Sequence, residues 1–254
     1  MKHSHILAIL LLLIPFVKSH AGLINIDVVD RSGLSSSQES LFDDAVNFWE
    51  SALIGTQENI DVNMQINATA PAIDGRGGIL GQAGPRRGTF YDGGVYVTQG
   101  IMEFDTADLG VLETRGTLLD VIVHEMAHVI GFGTIWNFFD NLYVQNSGEY
   151  LGKYALAMYR EEFDADATFV PVDIVSGVGT RNSHWDENWS GGRSDIMTGF
   201  LEGSTTVSNT TLAAFADIGY IVRLNDGRII GANAPATLTL LLVAGAFLVR
   251  RKKY

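Results

Sequence analysis

The fold class that the sequence predicts is α+β, with a cleft between two lobes. Three observations lead there. Short segments of alternating apolar residues bracket an amphipathic helix near the start of the chain. A stronger helical pattern occupies Thr117 to Ile130, and the second half is loop-rich with only brief periodic stretches. At 254 residues and 46% hydrophobic, the chain can bury a substantial core.

In order along the chain, Leu23 to Val29 alternates as a strand, and Ser36-Ser37-Gln38-Glu39 offers a capping box that opens a helix. Leu41, Ala45, Phe48, Trp49 and Ala52 line one face of that helix. Ile60 to Ile66 alternates apolar and polar residues as a half-buried strand does. The glycine-rich stretch Gly75 to Gly94 breaks periodicity and reads as a loop. It lacks the Lys-Ser/Thr ending of a phosphate loop, so it is not a nucleotide cradle. Val95 to Phe104 resumes a strand pattern. Thr117 to Ile130 follows as a helix with Leu118, Val121, Ile122, Met126 and Val129 on its apolar positions and Gly131 as its stop. Further helices are expected near Tyr150 to Glu161 and over Thr206 to Tyr220, the latter ending at Gly219. No internal repeat is visible.

The two ends differ from the middle. Ile6 to Val17 is an apolar run followed by Ser19-His20-Ala21, the pattern of a secretory signal cleaved behind Ala21. Ala236 to Val249 is a second short apolar run, ended by Arg250-Arg251-Lys252-Lys253, which reads as a stop signal. This tail resembles the C-terminal sorting tails called PEP-CTERM, which imply cleavage by a membrane sorting enzyme. Ala234-Pro235-Ala236 stands where that pattern has Pro-Glu-Pro, and a plain C-terminal membrane anchor is the alternative. The expected organisation is a signal at 1–21, an N-terminal lobe at 22–133, a C-terminal lobe at 134–233 and the tail at 234–254. The product is expected in the periplasm, at the cell surface or outside the cell.

There is no cysteine, so no disulfide, thiolate ligand or thiol nucleophile is available. Six of the 17 basic residues lie in the end segments, which leaves 11 basic against 29 acidic residues and a net charge near −18 between them. Nucleic acid is a poor candidate partner for so acidic a chain, while calcium binding and basic substrates are both compatible with such acidity.

The residues that carry chemistry begin with His124-Glu125-Met126-Ala127-His128, which places two imidazoles one helical turn apart on one face with a carboxylate beside them. Of six histidines, His3, His5 and His20 fall in the signal, so His124, His128 and His184 are the only ones left. Three histidines are what a catalytic zinc takes, with the fourth position kept for water. Gly131 ends the helix where the chain must turn beneath a metal. The competing reading is a non-catalytic envelope or matrix protein with a structural zinc. Glu125 separates the two, since a structural site has no use for a carboxylate beside an open position. A peptidase implies protein or peptide substrates, with Glu125 as general base.

The sequence resembles the metzincins, and within them the leishmanolysin-like peptidases. The matching residues are His124 through Gly133, then His184-Trp185-Asp186-Glu187, Asp195-Ile196-Met197-Thr198-Gly199 and Asp217-Ile218-Gly219-Tyr220. The resemblance implies a two-lobed domain with a mixed sheet and a long zinc-binding helix, His184 as third ligand and Met197 as the residue of the Met-turn beneath the zinc. Most metzincins carry the third histidine where this chain has Thr134, whereas leishmanolysin-like enzymes delay it by an insertion. Leishmanolysin itself is cysteine-rich and kept latent by a cysteine, a control that this chain cannot share. By the same resemblance the strand at Val95 to Phe104 would be the edge strand that pairs with an extended substrate. Asp186, Glu187 and Asp195 flank the third ligand, either capping a solvated turn or supporting a ligand.

Overall fold

The computed structural model describes residues 22–232 apart from 202 and 204. The expected signal at 1–21 and the tail at 234–254 lie outside the described residues. The chain opens with strand β1 (Ile24–Asp30), helix α1 (Ser36–Ala52), strands β2 (Leu53–Thr56) and β3 (Val62–Thr69), and a hairpin of β4 (Gly81–Tyr91) and β5 (Gly94–Phe104). Helices α2 (Thr106–Arg115) and α3 (Leu118–Ile130) follow. The second half holds β6 (Glu149–Tyr150), α4 (Lys153–Glu162), β7 (Val170–Pro171), α5 (Asn209–Asp217), β8 (Tyr220–Arg223) and β9 (Ile229–Ile230), joined by long loops. The class is α+β, as the sequence predicts.

The main sheet has the order β1-β3-β5-β4. β1, β3 and β5 run parallel, and β4 is antiparallel to β5. Alternation along β3 buries Val62, Met64, Ile66 and Ala68 and leaves Asn63, Gln65 and Asn67 in water. One face of the sheet is therefore covered and the other solvated. α1 and α3 cover the apolar face and are tied to each other by the Trp49 indole, which donates to the Val123 carbonyl at 3.0 Å. The capping box of α1 lies one residue earlier than expected. Ser35 and Gln38 exchange its two hydrogen bonds, because the Glu39 N–H is already used by the Ser35 carbonyl.

Gly75 to Gly94, which the sequence presents as a loop, is in large part a strand. Residues 81–91 of it form β4, paired along its length with β5 across the Asp92-Gly93 turn. An edge strand is paired on one side only and packs few side chains, so glycine, proline and arginine can occupy it without apolar alternation. Two register shifts, at Pro85/Arg87 and Arg87/Gly88, mark the irregularity. It follows that β5 is flanked by β3 and β4 and has no free edge; the edge strand on that side of the sheet is β4, as β1 is on the other. The segment before β4 is held by Asp105, whose Oδ2 accepts the N–H groups of Ile73, Asp74 and Gly75 at 3.2, 2.8 and 2.8 Å.

The last helix is shorter than its pattern. Ser208 caps it at 3.0 Å from the Thr211 N–H, and beyond Gly219 the chain becomes β8, which pairs with β2. α4 and α5 cap each other. The Glu162 carboxylate at the end of α4 accepts from Asn209 N, Thr210 N and Thr210 Oγ1 at the start of α5. Asp217 at the end of α5 accepts from Tyr154 N and Ala155 N at the start of α4. Among the described residues no helix is long and apolar enough to cross a membrane. Glu162→Ala strands the first N–H groups of α5 and should destabilise the fold by about 1–2 kcal/mol, as loss of a helix cap does, with Glu162→Gln milder. Thermal unfolding of the two variants checks this ordering.

Candidate active site

α3 carries His124, Glu125 and His128, and His184 reaches the same point from the loop after β7. The approach of that loop depends on Gly133, which has φ of +71° and whose absent Cβ would lie 2.6 Å from the Ser183 Cα. Any other residue there would push Ser183, and with it His184, away from the end of α3.

Each imidazole is fixed through Nδ1. His124 Nδ1 lies 2.5 Å from the Ile196 carbonyl oxygen, His128 Nδ1 2.9 Å from that of Phe132, and His184 Nδ1 2.9 Å from that of Thr180. A carbonyl can only accept, so in each neutral ring the proton sits on Nδ1 and Nε2 carries a lone pair. Burial pushes the pKa of all three imidazoles down. His128 is well below its ordinary value and His184 falls to about 3, with the neighbouring histidines adding to burial in both. The three rings are therefore neutral at pH 7.

The three Nε2 atoms stand 3.1, 3.0 and 3.1 Å apart. Hydrogen bonds would give such separations, but the protons that would make them are committed to the main chain. Three converging lone pairs repel unless a cation lies among them. A tetrahedral zinc at about 2.0–2.1 Å from imidazole nitrogens sets its ligands roughly 3.3 Å apart, close to the observed triangle. The donor set thus fits zinc, and three histidines leave a coordination position open.

Glu125 is 6% exposed, and burial by itself pushes its carboxyl up to about 8, a rise that a cation held among the three imidazoles would oppose by favouring the ionised form. β4 passes directly against it, since a Cβ on Gly81 would lie 2.9 Å from Glu125 Oε1 and 3.0 Å from its Cγ. A glycine is what allows strand and carboxylate to share this space.

Met197, fully buried, sits in the turn that supplies the Ile196 carbonyl to His124. The same turn holds the residue after His184, through Trp185 N donating to Met197 O at 2.9 Å. Asp195 organises the turn. Its Oδ1 accepts from Met197 N at 2.9 Å and Thr211 Oγ1 at 2.8 Å, and its Oδ2 accepts from Ser208 N at 3.1 Å. Thr211 in turn accepts from the Trp185 indole at 2.8 Å.

Of the three flanking acids, Asp195 is the one joined to this scaffold. Asp186 caps a local turn at Asn188 N, and Glu187 binds Gly199 N and pairs with Arg193. Thr134, at the position where most metzincins have their third histidine, donates instead to the His128 carbonyl at 2.7 Å. Gly81 and Thr211 escaped the sequence reading, and Gly133 entered it only as the end of the matched segment. Only the Asp92-Gly93 dipeptide, a two-residue hairpin turn, signalled the strand that brings Gly81 to the site.

A family model described as leishmanolysin, of the M8 peptidases, matches residues 89–226. The chain belongs to the leishmanolysin family. No curated protein matches it in sequence. Leishmanolysin peptidases are zinc metallopeptidases that act on protein or peptide substrates, and the matched span holds the three clustered histidines.

Asp195→Asn places an amide N–H₂ against N–H or hydroxyl donors on one side or the other. Thr211→Val removes the link from Trp185. Each should weaken zinc binding by about 10- to 100-fold, as loss of ligand-supporting partners does. Chelator competition measures it, and unchanged affinity with an intact circular dichroism spectrum would remove Asp195 from the ligand scaffold.

Proposed function

We propose that this leishmanolysin family member is an exported zinc endopeptidase in which His124, His128 and His184 hold the metal and Glu125 is the general base. The observation that carries the reading is the convergence of three unprotonated Nε2 atoms beside a buried carboxylate, under the free edge of a sheet. Zinc held there would supply a Lewis acid and would lower the pKa of a water beside it from 15.7 towards about 7.

The chain's own groups do the rest. Glu125 takes a proton from the attacking water and delivers it to the leaving amine nitrogen. The Nδ1 hydrogen bonds keep each imidazole in one tautomer and one orientation, so no reorganisation is needed during turnover. Met197, in the role of the Met-turn, closes the floor of the site. An extended peptide aligned on the free edge of β4 by main-chain hydrogen bonds would pass over Glu125 at Gly81. This assigns to β4 the pairing role that the sequence suggested for Val95 to Phe104.

The proposal includes the outer segments. Residues 1–21 would direct export and 234–254 would hold the product at the envelope, as a sorting tail or an anchor. The lobes at 22–133 and 134–233 would flank the cleft.

Glu125→Gln keeps the size of the side chain but cannot accept the proton. Peptide turnover should fall by about 100- to 10,000-fold while zinc stoichiometry and thermal unfolding stay as in the wild type. Near-normal turnover in this variant would defeat the general-base assignment.

A further inference from the structure

A concavity lies at the far end of β4 from Glu125. It is an open hollow of about 810 Å³ bounded by the β4–β5 turn, the loop around Phe138 to Leu142, the start of α4 and the end of α5. Neither Glu125 nor any of the three histidines lines it. Tyr91 in its wall stacks at 4.6 Å on the fully buried Tyr96 behind it, whose hydroxyl donates to the Gly219 carbonyl at 2.7 Å. On the rim Phe90 is 69% and Phe138 49% exposed, and the two rings meet edge to face at 5.7 Å. Paired exposed aromatic rings beside a cavity mark a surface that gains by being covered.

The charges around the cavity identify what would cover it. Glu58, Asp92 and Asp140 are exposed carboxylates on its lining, whereas Asp217 is committed to the N–H groups of α4. The cation on the lining, Lys153, lies 4.7 Å over the Tyr154 ring. Carboxylates interleaved with aromatic faces suit a guanidinium or ammonium carried on an apolar stem.

β4 connects this cavity to the histidines. Gly81 at one end touches Glu125, and Phe90 and Tyr91 at the other line the cavity. At about 3.3 Å per residue the two ends are roughly 30 Å apart. A polypeptide paired along the free edge would be led from one to the other. Arg86 and Arg87 are exposed midway, so the demand for positive charge is confined to the cavity.

We propose that this cavity is a distal substrate subsite, which takes a basic segment of the polypeptide substrate about nine residues from the bond that is cleaved. The proposal rests on the peptidase reading above and adds to it a substrate class, polypeptides with arginine or lysine displaced from the scissile bond. It also gives the acidic excess of the chain a local use, in drawing such segments to one end of the strand.

The test separates binding from turnover. Fluorescent peptides of about 20 residues carry one uncharged core and, about nine residues to one side or the other, either two arginines or two aspartates. Their affinity for the full-length Glu125→Gln protein is read by anisotropy. One of the two arginine peptides should bind at least 10-fold more tightly than its aspartate counterpart. Asp92→Asn with Asp140→Asn should remove most of that preference, and Phe90→Ser with Phe138→Ser should remove most of the binding. In the Glu125-containing protein the same substitutions should leave cleavage of the short uncharged core unchanged. Equal binding of the two charge classes, or a preference that survives both pairs of substitutions, overturns the subsite. Preferential binding without cleavage of any peptide by the wild type overturns the peptidase reading and leaves a basic-segment binding site.

Discussion

Each of the three imidazoles gives its single proton to a main-chain carbonyl, and the geometry of the site follows from that commitment. Ile196, Phe132 and Thr180 supply the acceptors, from three separate loops. The Nε2 lone pairs are left facing one another at about hydrogen-bond distance with no proton to share. Side chains alone could not enforce this, because a free imidazole exchanges tautomers readily. Carbonyls fixed by surrounding secondary structure make one tautomer obligatory, and the remaining repulsion is of the kind that a cation would relieve.

The scaffold can be understood as the means of placing those carbonyls. Gly133 lets the chain leaving α3 lie against Ser183, beside the Thr180 carbonyl and His184. Asp195 gathers the turn that carries Ile196, and binds it to α5 through Ser208 and Thr211. α5 is in turn locked to α4 by the reciprocal caps of Glu162 and Asp217. The main sheet contributes from the other side, where β4 lies against Glu125. Half-buried or buried carboxylates, Asp195, Glu162 and Asp217, recur at these joints because each satisfies several N–H groups at once, which a neutral side chain does less well.

What the sequence made legible follows the range of each interaction. α3 and its motif were readable because helical periodicity and the His-to-His spacing are local, within five residues of chain. That His184 lies beside His124 and His128 was to be expected from the count of histidines outside 1–21 together with the family resemblance. Thr211 was not readable, because its link to Trp185 spans 26 residues and depends on how α5 docks. β4 was hidden for a different reason. Its strand character comes from pairing with β5, not from its own side chains, and glycine and proline disguised it as a loop. The error carried over to the edge strand, which the sequence placed one strand too far into the sheet.

The central claim is that His124, His128 and His184, with no fourth protein ligand, hold one zinc through Nε2. X-ray absorption at the zinc edge, recorded on the purified full-length protein together with its metal content, tests this most directly. The account predicts one zinc per chain with three imidazole nitrogens at about 2.0–2.1 Å and a single further light scatterer. A carboxylate replacing one imidazole, a fourth histidine-like scatterer, or a chain that takes up no zinc would contradict it.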